Sequence, residues 1–205
     1  MCKVIAVTNR RLCKGDFEKQ IRLLVECKVD YIILREKDLK ESEYEKLARE
    51  VLTICEESKT ICVLHKFIKV AHRLKAKAIH LSLPDAEENL ERLKEFTLVG
   101  VSTHSVEQVR GAQKCGANYV FFGHVYQTDC KKGLAPRGSS QLHEICQQAN
   151  VPVYAIGGIS PENAAATLAA GAAGVCVMSW GMESSRKEIS AFVEAVHGSS
   201  KVANF

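Results

Sequence analysis

The sequence predicts one α/β domain, a single (β/α)8 or TIM barrel, and three observations lead there. Short apolar runs rich in β-branched residues alternate eight times with longer amphipathic runs along the 205 residues. The short runs are almost continuously apolar, as the strands of a parallel sheet covered by helices must be. Eight such units close into a barrel. A doubly wound sheet, the rival, needs no eighth repeat and usually opens with a glycine-rich first turn, which is absent here.

In chain order, the first unit is a strand at residues 4–8 and a helix at about 16–27. A second strand at 31–34 leads to a long helix at 42–57, with Ser42 as its N-cap. The third strand is expected at 61–64 with a short helix at 68–74, and the fourth at 78–81 with a helix at 86–94. The fifth unit pairs a strand at 98–102 with a helix at 106–115 capped by Ser105. The sixth strand, 119–123, opens into a long polar loop at 126–138 before a helix at 139–149. After the seventh strand, 153–156, a helix starts at Ser160-Pro161-Glu162, a capping hydroxyl followed by proline at the first helical position. A strand at 174–178 and a helix at 187–196 complete the set. No linker or low-complexity segment interrupts this order. Residues 1–205 are therefore expected to form one domain, with its core at about 4–197 and a short C-terminal tail.

Charge and composition narrow the function. Twenty-eight Lys and Arg against 24 Asp and Glu give a formal charge of +4, spread without the basic block that nucleic acid would require. An anionic small molecule suits that mild excess. The nine cysteines form no C-x-x-C pair, and an odd number without an export signal predicts reduced thiols that fill core space. No apolar run is long enough for a signal peptide or a membrane span, so the expected compartment is the cytosol.

Active sites of this fold lie on the loops after the C-terminal ends of the strands. After the seventh strand, Gly157 and Gly158 permit close backbone approach to a ligand, and the following helix aims free N–H groups at it. After the eighth, Met178 and Ser179 add a hydroxyl and backbone donors, at the usual phosphate site of such barrels. Alone, the glycine pair reads equally as a tight turn; its placement favours the phosphate. Arg35 and Lys37 alternate onto one face at the end of the second strand, as a second anion site or a solvated strand end. His124 ends the sixth strand beside the long loop, where a histidine can move protons near neutral pH. That loop also carries Thr128, Cys130, Lys131 and Lys132, with one lysine available for an anion and Cys130 either an inert thiol or a second acid or base. His80 and His104 are expected near the mouth, whereas His72, His143 and His197 sit on helix surfaces. No His, Cys or carboxylate cluster has metal-ligand spacing.

Four segments in this order, Leu34-Arg35-Glu36-Lys37, Gly100-Val101-Ser102-Thr103-His104-Ser105, residues 122–132 and Ala155-Ile156-Gly157-Gly158-Ile159, resemble the thiamin phosphate synthase/TenI family. The resemblance runs over about residues 4–182 and implies a (β/α)8 barrel. It also implies one of two activities. The synthase joins a pyrimidine pyrophosphate to a thiazole phosphate with Mg²⁺; the TenI-type thiazole tautomerase aromatises a carboxythiazole phosphate by a proton shift, with no metal. In both, the thiazole phosphate sits on the positions of Gly157, Gly158, Met178 and Ser179.

Two departures favour the tautomerase. Where the synthase has an Asn-Asp pair after the third strand, this chain has His65 and Lys66, and a cation repels Mg²⁺. Asp85 matches the second metal carboxylate, while Ile33 replaces a glutamine expected to touch the pyrimidine. In the family resembled, synthases usually carry proline where His124 stands, and the tautomerase carries the histidine proposed as general acid/base. The resemblance thus implies an isomerase needing no cofactor, with His124 as catalytic residue and Arg35, Lys37, Ser102, Thr128 and Lys131 joining the phosphate loops in substrate binding. Mg²⁺ enters only if the synthase alternative holds, and a non-catalytic thiazole-phosphate-binding regulator is the third reading. The expected partner is the small-molecule thiazole phosphate, with a homodimer as a candidate assembly.

Overall fold

Alternation along the first strand already separates two cores. In β1 (Lys3–Val7), Val4 and Ala6 pack outward with the helices, whereas Ile5 and Val7 point into the barrel. The same parity recurs in β2 (Tyr31–Leu34), β3 (Ile61–His65), β4 (Ala78–Ser82), β5 (Leu98–Thr103), β6 (Tyr119–Gly123), β7 (Val153–Ile156) and β8 (Gly174–Val177). The computed structural model describes residues 1–128, 131 and 133–199. All eight strands are parallel and hydrogen-bonded in chain order, and β8 returns to β1 in the register Val4 to Val175 and Ala6 to Val177. The expected closed barrel is the one observed.

The helices are α1 (Phe17–Glu26), α2 (Glu41–Glu56), α3 (Ile68–Arg73), α4 (Leu83–Glu87), α5 (Leu90–Leu93), α6 (Val106–Lys114), α7 (Gly138–Gln148), α8 (Pro161–Ala169), α9 (Ser179–Glu183) and α10 (Arg186–Gly198). Their starts follow local chemistry. Asp16 Oδ1 accepts the Lys19 N–H at 2.9 Å to open α1, which buries Ile21 and Leu24 against the barrel. Each fully buried side chain of that size contributes roughly 1.5–3 kcal/mol. Ser105 caps α6 and Ser160 opens α8 ahead of Pro161, both as expected. No helix among the described residues is long and apolar enough to cross a membrane.

Three local expectations need correction. Ser42 lies inside the first turn of α2, because Lys40 is the cap residue and its N–H donates to Glu43 Oε2 at 3.0 Å. The single helix expected at 86–94 is two short ones. Ser82 and Pro84 start α4 directly after β4, and the Asn89 side chain then donates to Asp85 O at 2.8 Å where α4 has already ended. The sequence reading also passed over α9 and a 3-10 turn at Arg10–Leu12.

The lower barrel is filled by a tyrosine layer. The Tyr31 ring lies 6.0 Å from Tyr119 and 6.1 Å from Tyr154, and Tyr119 lies 5.2 Å from Tyr154. Gly100 is required beside it, since a Cβ there would collide with the Tyr119 ring and the His80 imidazole. This floor sets the depth of whatever binds above.

Candidate active site

Following the inward parity past the tyrosine floor shows which side chains reach the mouth. On β2 it runs from Ile33 to Arg35 and Lys37, on β3 to His65, on β4 to His80 and Ser82, and on β5 to Ser102. These positions, with the loops after β6, β7 and β8, line a cavity of about 890 Å³ at the C-terminal ends of the strands. All ten residues singled out from the sequence lie on it: His124, Arg35, Lys37, Ser102, Thr128, Lys131, Gly157, Gly158, Met178 and Ser179. His80 and His104 line it too, whereas His72, His143 and His197 lie elsewhere. Cys130 and Lys132 lie outside the described residues.

Between the strand ends, Glu36 faces away from the cavity and ties the barrel rim. It is buried, accepts the Thr8 hydroxyl at 2.7 Å and the Arg10 N–H at 3.0 Å, and pairs with the Arg10 guanidinium at 3.2 Å. Arg35 N–H donates to the same Thr8 hydroxyl at 2.9 Å. The charged run at the end of β2 therefore splits by parity: one residue braces the rim, two face the cavity.

The glycine pair is a steric necessity. Gly157 has φ +101° and Gly158 φ +67°, a region that favours glycine. A Cβ on Gly157 would lie 2.5 Å from the His124 Cβ, and one on Gly158 would run into the Gln127 carbonyl. The loop after β7 thus presses directly onto the end of β6. Tyr126 N–H donates to Gly157 O at 2.9 Å and Val125 N–H to Ile156 O at 3.0 Å, stitching the two together.

His124 is only 8% exposed and is held from several sides. Its Nε2 lies 3.0 Å from Ala135 O. A carbonyl only accepts, so Nε2 carries a hydrogen, and the neutral ring then has its lone pair on Nδ1. The preceding carbonyl, Gly123 O, accepts His104 Nδ1 at 2.6 Å and Arg137 Nε at 3.1 Å, while Arg137 N–H donates to His124 O at 3.0 Å. The Gly123–His124 peptide is cis. Arg137 gave no signal in the sequence, because its contact depends on the loop after β6 folding back over the strand end.

Two further histidines line the cavity in neutral form. His80 contacts Ser102 Oγ at 2.8 Å and Tyr119 OH at 3.1 Å, and burial holds its pKa well below the ordinary value. His65 lies 6.1 Å from His80, ring to ring. Burial, then the charges of Arg35 and Lys37, push its pKa down to about 3. Lys37 is likewise lowered, first by burial and then by Arg35, Lys131 and Lys66.

Residues 4–180 match the family described as thiamine monophosphate synthase. The chain belongs to that family. A relative from Aquifex aeolicus named "Putative thiamine-phosphate synthase 2" is 30% identical over 184 residues, spanning 88% of this chain and 98% of that one. A "Thiamine-phosphate synthase" of Clostridium novyi is 32% identical over 187 residues, spanning 86% and 89%. Among solved structures, a "Thiamine phosphate pyrophosphorylase" from Pyrococcus furiosus superposes with a TM-score of 0.84 at 27% identity, covering 96% of this chain and 98% of that one. The family expected from the ordered motifs is the family found. The names these relatives carry belong to the transferase, not to an isomerase.

The Mg²⁺ that the resemblance implies for a synthase of this family has a poor donor set in this cavity. Among the described residues Asp85 is the one carboxylate on it, and Ser82 Oγ donates to its Oδ2 at 2.5 Å. Lys66 stands at the end of β3, where the resemblance implies an aspartate in the synthase. Among the described residues, no three His, Cys, Asp or Glu come together to hold a metal ion. Mg²⁺ seeks several hard oxygen ligands, and one carboxylate among cations does not supply them. The described residues do not fit that ion.

Proposed function

We propose that this chain is a thiazole tautomerase of thiamin biosynthesis, shifting a proton on a carboxythiazole phosphate without a metal or other cofactor. The observation that carries the reading is His124, a fixed imidazole on the cavity wall, pressed against the glycine loop and hydrogen-bonded through Nε2 to Ala135 O. In this reading Gly157, Gly158, Met178 and Ser179 hold the substrate phosphate, largely by backbone donors. The carboxylate meets Lys131 or Arg35, and Ser102, Lys37 and Thr128 complete the contacts. His124 Nδ1 takes the proton from ring carbon two, and a proton is delivered to the exocyclic carbon. The exocyclic double bond moves into the ring, which becomes aromatic, and no electrons enter or leave.

Aromatisation followed by ultraviolet absorbance, in EDTA, tests this directly. Wild-type turnover should persist without metal, and His124→Ala should lose about 10²- to 10⁴-fold, the range of positioned acid–base catalysis. A fully active, folded His124→Ala would sink the assignment.

The second reading is thiamin phosphate synthase, and the names of the relatives favour it. On names alone the transferase is the better supported of the two; the cavity's donor set and His124 support the isomerase. Mg²⁺-dependent formation of thiamin phosphate from the pyrimidine pyrophosphate and thiazole phosphate would establish the transferase. Tight binding of thiazole phosphate with no turnover in either assay would point to a regulatory binding protein.

A further inference from the structure

Across the middle of the barrel, His80 on β4, Gly100 on β5 and Tyr119 on β6 are Cα partners in one row. Gly100 carries no side chain, so the imidazole and the phenol meet over it, and a Cβ there would collide with both. His80 Nδ1 lies 3.1 Å from Tyr119 OH, and His80 Nε2 lies 2.8 Å from Ser102 Oγ. Ser102 stands two residues beyond Gly100 on the same strand face and lines the cavity, whereas Tyr119 belongs to the buried floor. The three side chains form one line from the floor to the ligand space.

The direction of that line follows from donor counting. His80 and Tyr119 are buried, and the imidazole is neutral, with one N–H and one bare nitrogen. Among the described residues the Tyr119 hydroxyl hydrogen has one acceptor, His80 Nδ1. If Nδ1 donated to the phenol instead, that hydrogen would be buried and unpaired, which protein interiors avoid. Nδ1 therefore accepts, Nε2 carries the hydrogen, and it donates to Ser102 Oγ. The hydroxyl hydrogen of Ser102 is left to turn away from His80, toward the cavity.

We propose that Tyr119 and His80 are positioning residues that set Ser102 as a hydrogen-bond donor to the ligand, so that this side of the cavity selects a group that accepts. Around the ring β5 lies two strands from β7 and three from β8, so Ser102 faces the end of a ligand remote from a phosphate on the glycine loops. On the thiazole reading above, on which this identification rests, that end carries the carboxylate, and Ser102 donates to one of its oxygens. A ligand N–H in that place would leave the serine hydrogen without an acceptor.

Nitrogen-15 NMR of the imidazoles in the full chain reads the direction. Calorimetry with the aromatic carboxythiazole phosphate, and with thiazole phosphate lacking the carboxylate, reads its effect. His80, identified by the signal lost in His80→Gln, should show a bare Nδ1 and a protonated Nε2. In Tyr119→Phe the two nitrogen shifts should move toward each other, because Nδ1 has lost its donor, and carboxythiazole phosphate should bind more weakly. Ser102→Ala should weaken that ligand about tenfold or more and change thiazole phosphate by less than about twofold. His80→Gln, whose amide can accept from Tyr119 and donate to Ser102, should bind carboxythiazole phosphate better than His80→Leu does. A protonated Nδ1 in the wild type, shifts unmoved in Tyr119→Phe, equal losses for both ligands in Ser102→Ala, or full affinity in His80→Leu would each overturn the proposal. The tautomerase reading fails separately. Binding with these shifts but no isomerisation removes the activity and keeps the donor, and isomerisation with Nδ1 protonated does the reverse.

Discussion

The wall of the cavity after β7 and the wall after β2 and β3 are built by opposite means. At Gly157 and Gly158 the chain presents backbone, and any side chain would collide with His124 or with Gln127 O. At Arg35, Lys37 and Lys66 it presents charged side chains, two of them on the inward column of β2. The first wall is bound to the barrel's geometry, since its shape follows from how closely the β6 and β7 ends approach. The second is set by side-chain identity, so one lysine at position 66 can change the ligand chemistry and leave the barrel intact. That contrast explains how a chain can belong to the synthase family while its described residues lack a set of donors suited to Mg²⁺.

The sharpest way to break this contrast is Gly157→Ala. The new Cβ meets His124 at 2.5 Å in a backbone conformation that alanine rarely adopts. A cost of about 1–3 kcal/mol for the strain alone, with the collision added, should lower the melting temperature by several degrees and reduce turnover together. If the variant melts like the wild type, the glycine wall is not sterically fixed.

A smaller effect is expected at the clamp on His124. Arg137→Ala removes the guanidinium from Gly123 O, leaving His104 Nδ1 and the residue-137 N–H in place. Turnover should fall roughly tenfold with a melting temperature within a few degrees of wild type. The loss should fall on kcat with KM little changed, a split that a purely structural role would not produce. An unchanged kcat would show that the β6 end holds His124 without Arg137.

The smallest effect belongs to the cationic wall in acid. His65 is held neutral, with its pKa down at about 3 from an ordinary 6.5. Below pH 6.5 the unfolded chain therefore binds the proton that the folded chain refuses, and stability falls as pH drops toward 3. The slope from this residue is at most about 1.4 kcal/mol per pH unit. Urea midpoints at pH 7 and pH 5 should show less acid loss in His65→Gln than in wild type. His80, lowered by its own burial, keeps part of the slope in both proteins. Identical losses in the two proteins would mean that His65 is not the group responsible.

The legible and the hidden parts of this molecule divide along the same line as its two walls. Period-two alternation put Arg35 and Lys37 on one face, and the inward column of β2 carries both to the cavity. Gly157, Gly158 and His124 were legible from their place at strand ends. The clamp was not, because Arg137 is 14 residues from Gly123 in the chain and meets it only through a loop that turns back. The split into α4 and α5 was hidden too, since the apolar pattern at 86–94 is helical in both forms and side-chain bonds at Ser82 and Asn89 decide where the turns stop.

By itself the sequence determined the eight units, the parity of each strand and the charge and hydrogen-bonding chemistry available at each strand end, because periodicity and residue type are local properties. Tertiary structure decided that β8 meets β1, that His124 Nε2 is occupied by Ala135 O, and that four cations from three strand ends share one cavity with, among the described residues, a single carboxylate. Those facts depend on barrel closure. Distances between residues far apart in the chain are fixed by the ring of strands, and no local pattern encodes them.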